Sequence, residues 1–387
     1  MKTYLLTSLL MLTLGVYAQQ EESHKRARDW GIPFEGEPGT HNNITDVPGV
    51  EVGYTTLVNG EGELKVGEGP VRTGVTVILP KGKRNGRVPA GIFSLNGDGE
   101  LTGSHYINDY GMLPGAAIGI TNTNSVGIVH DAIGEWQFKQ FSDRRMEDFT
   151  FGLPVVGETW DGGFNDIYGF HVKKEHEFEA LDSAKSGYIA EGNVGGGTGM
   201  WLFGFKGGTG TSSRQVSIDS TVYTVGVLAQ ANFGSREDLL VAGVPVGKEI
   251  TDLQPVFNDP RVTGGSLIVV VATDAPLLPN YLKLVAKRVS LGMARTGSPS
   301  GNDSGDIFLA FSTVEPTYNE KGTEMSWKVI PKWELTPIFR ATVQATEEAI
   351  INALIAAETM SGADDNIMYE CPEERLVDIL KRYNRIE

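Results

Sequence analysis

Three short segments of this sequence contain side chains suited to catalysis. The first is Thr263-Gly264-Gly265-Ser266, which stands directly before a long apolar run. Two glycines let the backbone adopt bends that other residues resist, and in such a bend a serine hydroxyl can attack the preceding carbonyl. Cleavage after Gly265 would give Ser266 a free α-amine. The ordinary pKa of such an amine is about 7.7–8.0, so it suits the role of the serine's own general base.

The second segment, residues 301–306, includes Ser304 and Asp306. Two residues apart, they share one face of a strand and can relay protons or hold an ammonium group. The third includes Asn232, whose amide can donate to a developing oxyanion, an interaction that contributes ~2.7–4 kcal/mol to transition-state stabilisation. The local patterns alone favour simpler interpretations: a Gly-Gly turn before a strand, a polar loop and an asparagine in a turn.

Other common sites are missing from the sequence. It contains no G-x-S-x-G, S-x-x-K or P-loop pattern, and His176-Glu177 lacks the second histidine of H-E-x-x-H. The glycines of residues 195–199 indicate a tight turn rather than a phosphate loop. Cys371 is the only cysteine, which rules out an internal disulfide and a thiolate zinc site. We therefore expect neither a metal nor a cofactor.

Apolar periodicity predicts a layered α/β or α+β fold. Short β-branched runs bounded by turn residues predict strands, whereas helical spacing follows Pro279 and, after a cap at Thr336, follows Pro337. Several strands follow one another without an intervening helix, so a mostly buried sheet within layers fits best. The predicted strands cover residues 74–79, 117–120, 125–129, 222–228, 267–272 and 307–312.

The first 18 residues are typical of a secretory signal peptide. Lys2 precedes a short apolar stretch, which ends in small residues before Gln19. We expect an exported protein, periplasmic or secreted, with residues 19–387 as one catalytic domain. The 33 Lys and Arg against 49 Asp and Glu give a net charge of −16, which disfavours nucleic acid and anionic membranes as partners. No later segment approaches the ~20 apolar residues of a membrane span.

Seven blocks in the same order along the chain resemble the L-aminopeptidase/D-esterase (DmpA) and β-peptidyl aminopeptidase (BapA) family. Each block is modest, but their ordered succession is specific. They contain residues 43–50, 154–159, 191–200, 230–234, 265–277, 295–297 and 304–308.

The resemblance implies a four-layer αββα sandwich, similar to N-terminal-nucleophile hydrolases but with different connectivity. It also implies self-cleavage into an α chain of residues 19–265 and a β chain of residues 266–387. By position, Ser266 is then the nucleophile and Asn232 contributes to the oxyanion hole. Ser304 and Asp306 match a Ser-Gly-acid element that assists processing and catalysis. Where some relatives carry glutamate, Asp306 is one methylene shorter.

The same resemblance implies that Glu158 holds the free amine of the substrate, for which a carboxylate supplies a charge-assisted hydrogen bond. Trp160, two residues later, is expected to line the pocket or the oxyanion region. The resulting hypothesis is a serine aminopeptidase that releases α-L, α-D or β-amino residues from short peptides, amides or esters. A homo-oligomer is also implied.

Two other functions are compatible with the sequence. Ornithine acetyltransferase-like acyltransferases have a related fold and also cleave themselves, although they are expected to carry threonine where this chain has Ser266. An exported, β-rich binding protein without activity is the other alternative, with Gly264-Gly265-Ser266 as a simple turn.

Overall fold

The computed structural model describes residues 25–84, 86–141, 153–258 and 265–387. The predicted signal peptide and Gly264 therefore lie outside the described residues. The strands are β1 (Glu51–Asn59), β2 (Val71–Leu79), β3 (Ala90–Gly97), β4 (Ile118–Asn122), β5 (Val155–Thr159), β6 (Trp201–Leu202), β7 (Phe205–Lys206), β8 (Gly208–Ile218), β9 (Thr221–Asn232), β10 (Gly265–Thr273), β11 (Ser304–Ser312), β12 (Thr317–Tyr318), β13 (Met325–Ser326), β14 (Met360–Ser361) and β15 (Ile367–Met368). The helices are α1 (Ser104–Tyr110), α2 (Val126–Phe141), α3 (Lys174–Ser183), α4 (Val246–Glu249), α5 (Pro279–Arg295), α6 (Thr336–Ile355) and α7 (Glu373–Arg382).

Two large sheets form the centre of the fold. The first sheet has the strand order β1-β2-β4-β5, in which β4 and β5 are parallel. The second has the order β3-β11-β10-β9-β8, in which β10 and β11 are the parallel pair. Because β10 is the middle strand of five, its backbone is paired on both sides. Ser266, its second residue, is therefore held by two neighbours at once.

Helices cover the outer face of each sheet, and three apolar layers separate the four structural layers. Helices α2 and α3 pack on the first sheet, and α5 and α6 pack on the second. Between the sheets lies an apolar layer that includes Ile120, Leu228, Ile268 and Leu309. This is the predicted αββα sandwich, held by burial of both faces of each sheet.

Most predicted elements are confirmed, but the predicted strand at residues 125–129 is wrong. Ser125 ends a 3₁₀ turn, residues 123–125, in which the Asn122 side chain accepts a hydrogen bond from the Ser125 N–H, and residues 126–129 form the start of α2. Val129 and Ile133 then pack against the first sheet at helical spacing. A short β-branched run does not distinguish a strand from a buried helix face, and here the cap and the following turns decide for helix.

Both helices predicted in the last third are confirmed. In α5 the residues at helical spacing are all buried. Helix α6 begins one residue earlier than predicted, at Thr336, with Leu335 before it. The buried positions of α5 are Leu282, Val285, Ala286, Val289 and Met293.

Candidate active site

The second sheet brings Ser266 and Asn232 side by side. Antiparallel pairing of β10 with β9 places Ser266 opposite Asn232, and parallel pairing with β11 places it opposite Gly305. Ser266 is 3% exposed and Asn232 is fully buried. The Asn232 Nδ2 atom lies 3.4 Å from Ser266 Oγ. The distance is long for a hydrogen bond, but at this position the Asn232 amide directs an N–H toward the Ser266 hydroxyl.

Two backbone groups fix the orientation of the Asn232 amide. The Trp201 N–H donates to Asn232 Oδ1 at 3.1 Å, and Asn232 Nδ2 donates to the Trp160 carbonyl at 2.9 Å. A backbone N–H can only donate and a carbonyl can only accept, so the oxygen and nitrogen of this amide cannot be exchanged. One Nδ2 proton is used by Trp160, and the second is directed toward Ser266.

Ser304 and Asp306 form a hydrogen-bonded pair at the start of β11. The Ser304 hydroxyl donates to Asp306 Oδ1 at 2.7 Å, and the Ser300 hydroxyl donates to Asp306 Oδ2. Both Ser304 and Asp306 are buried. Burial raises the pKa of Asp306, an effect that the two serine hydrogen bonds oppose.

Strand alternation places this pair on the other face of the second sheet from the Ser266 hydroxyl. Ser266 shares its face with Ile268 and the layer between the sheets, whereas Asp306 shares its face with Phe308 and the helix-covered layer. Ser304 instead lies beside the backbone of Gly265, because a Cβ atom on Gly265 would lie 3.4 Å from Ser304 Oγ. The position of the Ser304–Asp306 pair therefore suits contact with an α-amine of Ser266 more than contact with the Ser266 hydroxyl.

Glu158 lies in β5 and is a buried acid, 4% exposed. Its Oε2 accepts a hydrogen bond of 2.5 Å from the Thr123 hydroxyl, and its Oε1 accepts one of 3.0 Å from the Glu100 N–H. Burial raises its pKa, and the nearby Glu100 and Asp98 add to the rise, while the two hydrogen bonds oppose it. A cation bound close to Glu158 would relieve this burial cost.

Glycines connect Glu158 with the end of β10. A Cβ atom on Gly99 would lie 3.0 Å from Gly305 Cα and 3.1 Å from Glu158 Oε1. Likewise, a Cβ atom on Gly305 would lie 2.5 Å from the Asp98 carbonyl oxygen. The absence of both side chains lets residues 98–100 pass between the carboxylate of Glu158 and the strand position opposite Ser266.

Trp160 contributes to the site through its carbonyl, and its partly buried ring packs on a small aromatic cluster. The Trp160 and Trp201 rings meet edge to face, with centroids 5.9 Å apart. Phe164 and Phe257 complete the cluster. Offset and edge-to-face contacts of this kind favour a fixed geometry, so the peptide groups of Trp160 and Trp201 on either side of Asn232 share one rigid support.

Sequence reasoning missed several residues that support this site. Thr123 gave no sequence signal, and neither did Trp201, whose role is carried by its backbone N–H. Gln230 donates to the Thr159 hydroxyl at 2.6 Å and to the Thr121 carbonyl at 3.3 Å, joining the two sheets near the site. Lys206 was also missed, although a lysine among phenylalanines and glycines in residues 202–207 is an unusual core residue.

Within the four described ranges, no group of three or more His, Cys, Asp or Glu side chains is arranged to hold a metal ion. In the same ranges, no helix combines the length and apolar character needed to cross a bilayer.

The fold and site define a class of enzyme. Two sheets lie between helix layers. At the start of the central strand β10, a serine follows a glycine, and the side-chain amide of Asn232 directs an N–H toward the serine hydroxyl. This is a serine hydrolase of the N-terminal-nucleophile type. The chain belongs to peptidase family S58, whose sequence profile matches residues 42–368. The predicted family and aminopeptidase activity are confirmed, and the acyltransferase and binding-protein alternatives are not favoured.

Curated relatives and solved structures agree with this assignment. The chain is 50% identical to the β-peptidyl aminopeptidase BapA of Sphingosinicella microcystinivorans, with 93% of each chain covered. It is 46% identical to BapA of Sphingosinicella xenopeptidilytica, over 96% of this chain and 95% of the relative. The structure of the L-aminopeptidase D-Ala-esterase/amidase of Ochrobactrum anthropi matches with a TM-score of 0.86 at 43% identity, covering 94% and 99%. A Burkholderia sp. β-aminopeptidase matches with 0.82 at 41%, covering 92% and 99%.

Proposed function

We propose that this enzyme activates itself by cleavage after Gly265 and then removes N-terminal residues, including β-amino residues, from short peptides and amides. One observation carries the proposal: Ser266 is the second residue of the central strand β10, directly after Gly265, and an N–H of Asn232 is directed toward its hydroxyl oxygen. The similarity to two β-peptidyl aminopeptidases along nearly the whole chain supports the same function.

In the proposed activation, Ser266 Oγ attacks the Gly265 carbonyl carbon. The C–N bond to Ser266 breaks as an ester forms, and the hydroxyl proton ends on the released amine. Water then hydrolyses the ester, which gives a Gly265 carboxylate and restores the hydroxyl. In each later turnover the α-amine takes the hydroxyl proton, Ser266 forms an acyl-enzyme with the substrate, and Asn232 donates to the oxyanion.

Ser304 and Asp306 serve the new amine in this scheme. The Ser304 hydroxyl lies beside Gly265, and it donates to the buried carboxyl of Asp306. An ammonium formed at Ser266 after proton transfer would therefore meet a hydroxyl oxygen backed by a carboxylate. This arrangement lowers the cost of forming a positive charge at a buried strand end.

The test of this function is a denaturing gel together with a substrate panel. Purified enzyme is expected to separate into two pieces that end and begin at residues 265 and 266. It is also expected to hydrolyse aminoacyl amides with a free amine, with β-aminoacyl amides among them. An intact chain that hydrolyses these amides would contradict the self-cleavage step. A cut chain that does not hydrolyse them would contradict the proposed substrate class.

Glu158 is proposed to bind the substrate ammonium, and it does so only when ionised. Glu158→Gln is expected to raise KM for a free-amine amide by about 10- to 100-fold, because a hydrogen bond to a charged group contributes roughly 1.5–3 kcal/mol. Burial raises the pKa of Glu158, so this carboxylate is protonated at a higher pH than that of an exposed glutamate. On acidification, the KM of the wild type should therefore begin to rise at that higher pH. This acid limb should disappear in Glu158→Gln.

Two controls separate the role of Glu158 from the general negative charge around it. Glu100→Gln removes a neighbouring exposed carboxylate while leaving the backbone N–H that binds Glu158, so its effect on KM should be small. N-acylated substrates, which carry no ammonium, should respond little to Glu158→Gln. Equal losses for free and acylated amines would remove the proposed contact.

We also propose export and self-association. The support for export is the signal-peptide pattern of residues 1–18, and N-terminal sequencing of the separated α chain should begin at Gln19. The support for a homo-oligomer is a group of exposed apolar side chains on the segment around β12 and β13, a type of surface that marks protein contacts. Light scattering should then give a multiple of the chain mass. The group includes Tyr318 at 62%, Met325 at 54% and Trp333 at 73% exposure.

A further inference from the structure

Lys206 is a fully buried lysine at the end of the β6–β7 hairpin. Its Nζ donates to the Met200 carbonyl at 2.6 Å and to the Gly207 carbonyl at 2.7 Å. Within the described ranges no carboxylate pairs with it, and burial alone lowers its pKa to about 7. Burying an amine without a carboxylate is unfavourable relative to burying an apolar residue, so a packing role alone does not explain a lysine here.

The first of these acceptors belongs to the peptide group that holds Asn232. The carbonyl of the Met200–Trp201 peptide faces Lys206, and the N–H of the same peptide donates to Asn232 Oδ1. A continuous series of hydrogen bonds therefore runs from Lys206 through one peptide group to Asn232, and from its Nδ2 toward Ser266. Donation at a carbonyl oxygen polarises the amide and strengthens the bond that its N–H makes.

Lys206 shares the Met200 carbonyl with one backbone donor. The Met200 carbonyl also accepts the Gly207 N–H at 3.1 Å, but this bond only closes the two-residue hairpin on itself. Besides this bond and the bond from the Trp201 N–H to Asn232, the hydrogen bond from Lys206 is the third that holds the Met200–Trp201 peptide group. An amine can donate two hydrogen bonds whether it is ionised or neutral. Two acceptors match the two protons that even a neutral amine offers.

We propose that Lys206 is a positioning residue for catalysis, which fixes the Met200–Trp201 peptide so that the Asn232 amide is aimed at the oxyanion formed at Ser266. The inference rests on the proposed roles of Ser266 and Asn232. Lys206 itself touches no reacting atom. It acts by holding the donor at the place where negative charge appears in the transition state, where a displacement of about 1 Å can cost 10²-fold.

Lys206→Met, which keeps an unbranched chain as far as the Cε position and removes both hydrogen bonds of Nζ, is the main test. Its kcat is expected to fall by about 10- to 100-fold with KM within about twofold, because the contact between Asn232 and the oxyanion, which Lys206 positions, forms only in the transition state. Lys206→Gln, which restores a neutral donor on a chain one atom shorter, should recover part of kcat. In an Asn232→Ala background, Lys206→Met should cost nothing further, because both changes remove the same interaction.

Arg72→Met is the matched control. Arg72 is another buried basic residue, and within the described part of the chain its guanidinium donates only to carbonyls, those of Asn59, Gly60, Val71 and Ser361. Its loss should lower the melting temperature and leave kcat unchanged. If Lys206→Met behaves like Arg72→Met, Lys206 is a structural residue and the inference is wrong.

The remaining outcomes separate this inference from the proposed function. Normal kcat in Lys206→Met together with reduced kcat in Asn232→Ala overturns the inference and leaves the proposed function intact. Normal kcat in both variants overturns the role of Asn232 itself. If Lys206→Met folds but stays uncut, the inference is supported, since the same hydroxyl and amide face the scissile bond. If it does not fold, Lys206→Gln decides by the same comparison of kcat with KM.

Discussion

Ser266→Ala is expected to remain a single polypeptide and to lose aminopeptidase activity by about 10⁶-fold, the size of effect seen when a serine nucleophile is removed. Two losses combine in this one change. Without the hydroxyl, the Gly265 carbonyl has no attacking group, so the α-amine that serves as general base is never released. Intact mass and hydrolysis of a free-amine amide measure the two losses separately.

Ser266→Thr is the matched control for this prediction. It keeps a hydroxyl at the same position and adds one methyl group to a buried site. We expect slower but detectable cleavage and activity, because an extra methyl group in a packed site forces side chains off their preferred rotamers and shifts the backbone, which displaces the hydroxyl. Cleavage of Ser266→Ala at the same bond would contradict the mechanism, because it would show that another group makes the attack.

Asn232→Ala is expected to lower kcat by about 10²- to 10³-fold with little change in KM. The amide donates to charge that develops only in the transition state, and loss of one such donor costs roughly 2.7–4 kcal/mol. The variant also leaves the Trp160 carbonyl and the Trp201 N–H without their partner. Steady-state kinetics on the processed enzyme give kcat and KM, and the melting temperature reports the structural part of the effect.

Asn352→Ala provides a control of the same chemical type. Asn352 is fully buried and bonds backbone groups of Ala27 and Thr211, away from the site. It should lose stability comparably, since each such variant leaves buried polar groups unpaired at roughly 1–3 kcal/mol. Its kcat should remain that of the wild type. If both asparagine variants lower kcat alike, the loss comes from weakened packing and not from an oxyanion donor.

Local patterns in the sequence were enough to predict several elements that position the site. Four predicted strand segments lie inside strands of the structure, and a fifth, residues 117–120, begins one residue before β4; the helical spacing after Pro279 predicted the buried face of α5. The wrong strand prediction at residues 125–129 shows the limit of local patterns. A run of β-branched residues is compatible with a strand or a buried helix, and the Asn122 cap together with packing against β4 decides between them.

The sequence by itself determined that Ser266 follows two glycines and precedes an apolar strand, and its resemblance to a family indicated which polar residues belong with it. Only the tertiary structure decided how they meet. Pairing of β9, β10 and β11 sets Asn232 beside the Ser266 hydroxyl and places Ser304 beside the Gly265 backbone on the opposite face. The physical reason is that orientation depends on partners distant in sequence. Asn232 is fixed by backbone groups 31 and 72 residues away, and no local pattern encodes the direction of an amide or the burial of Lys206.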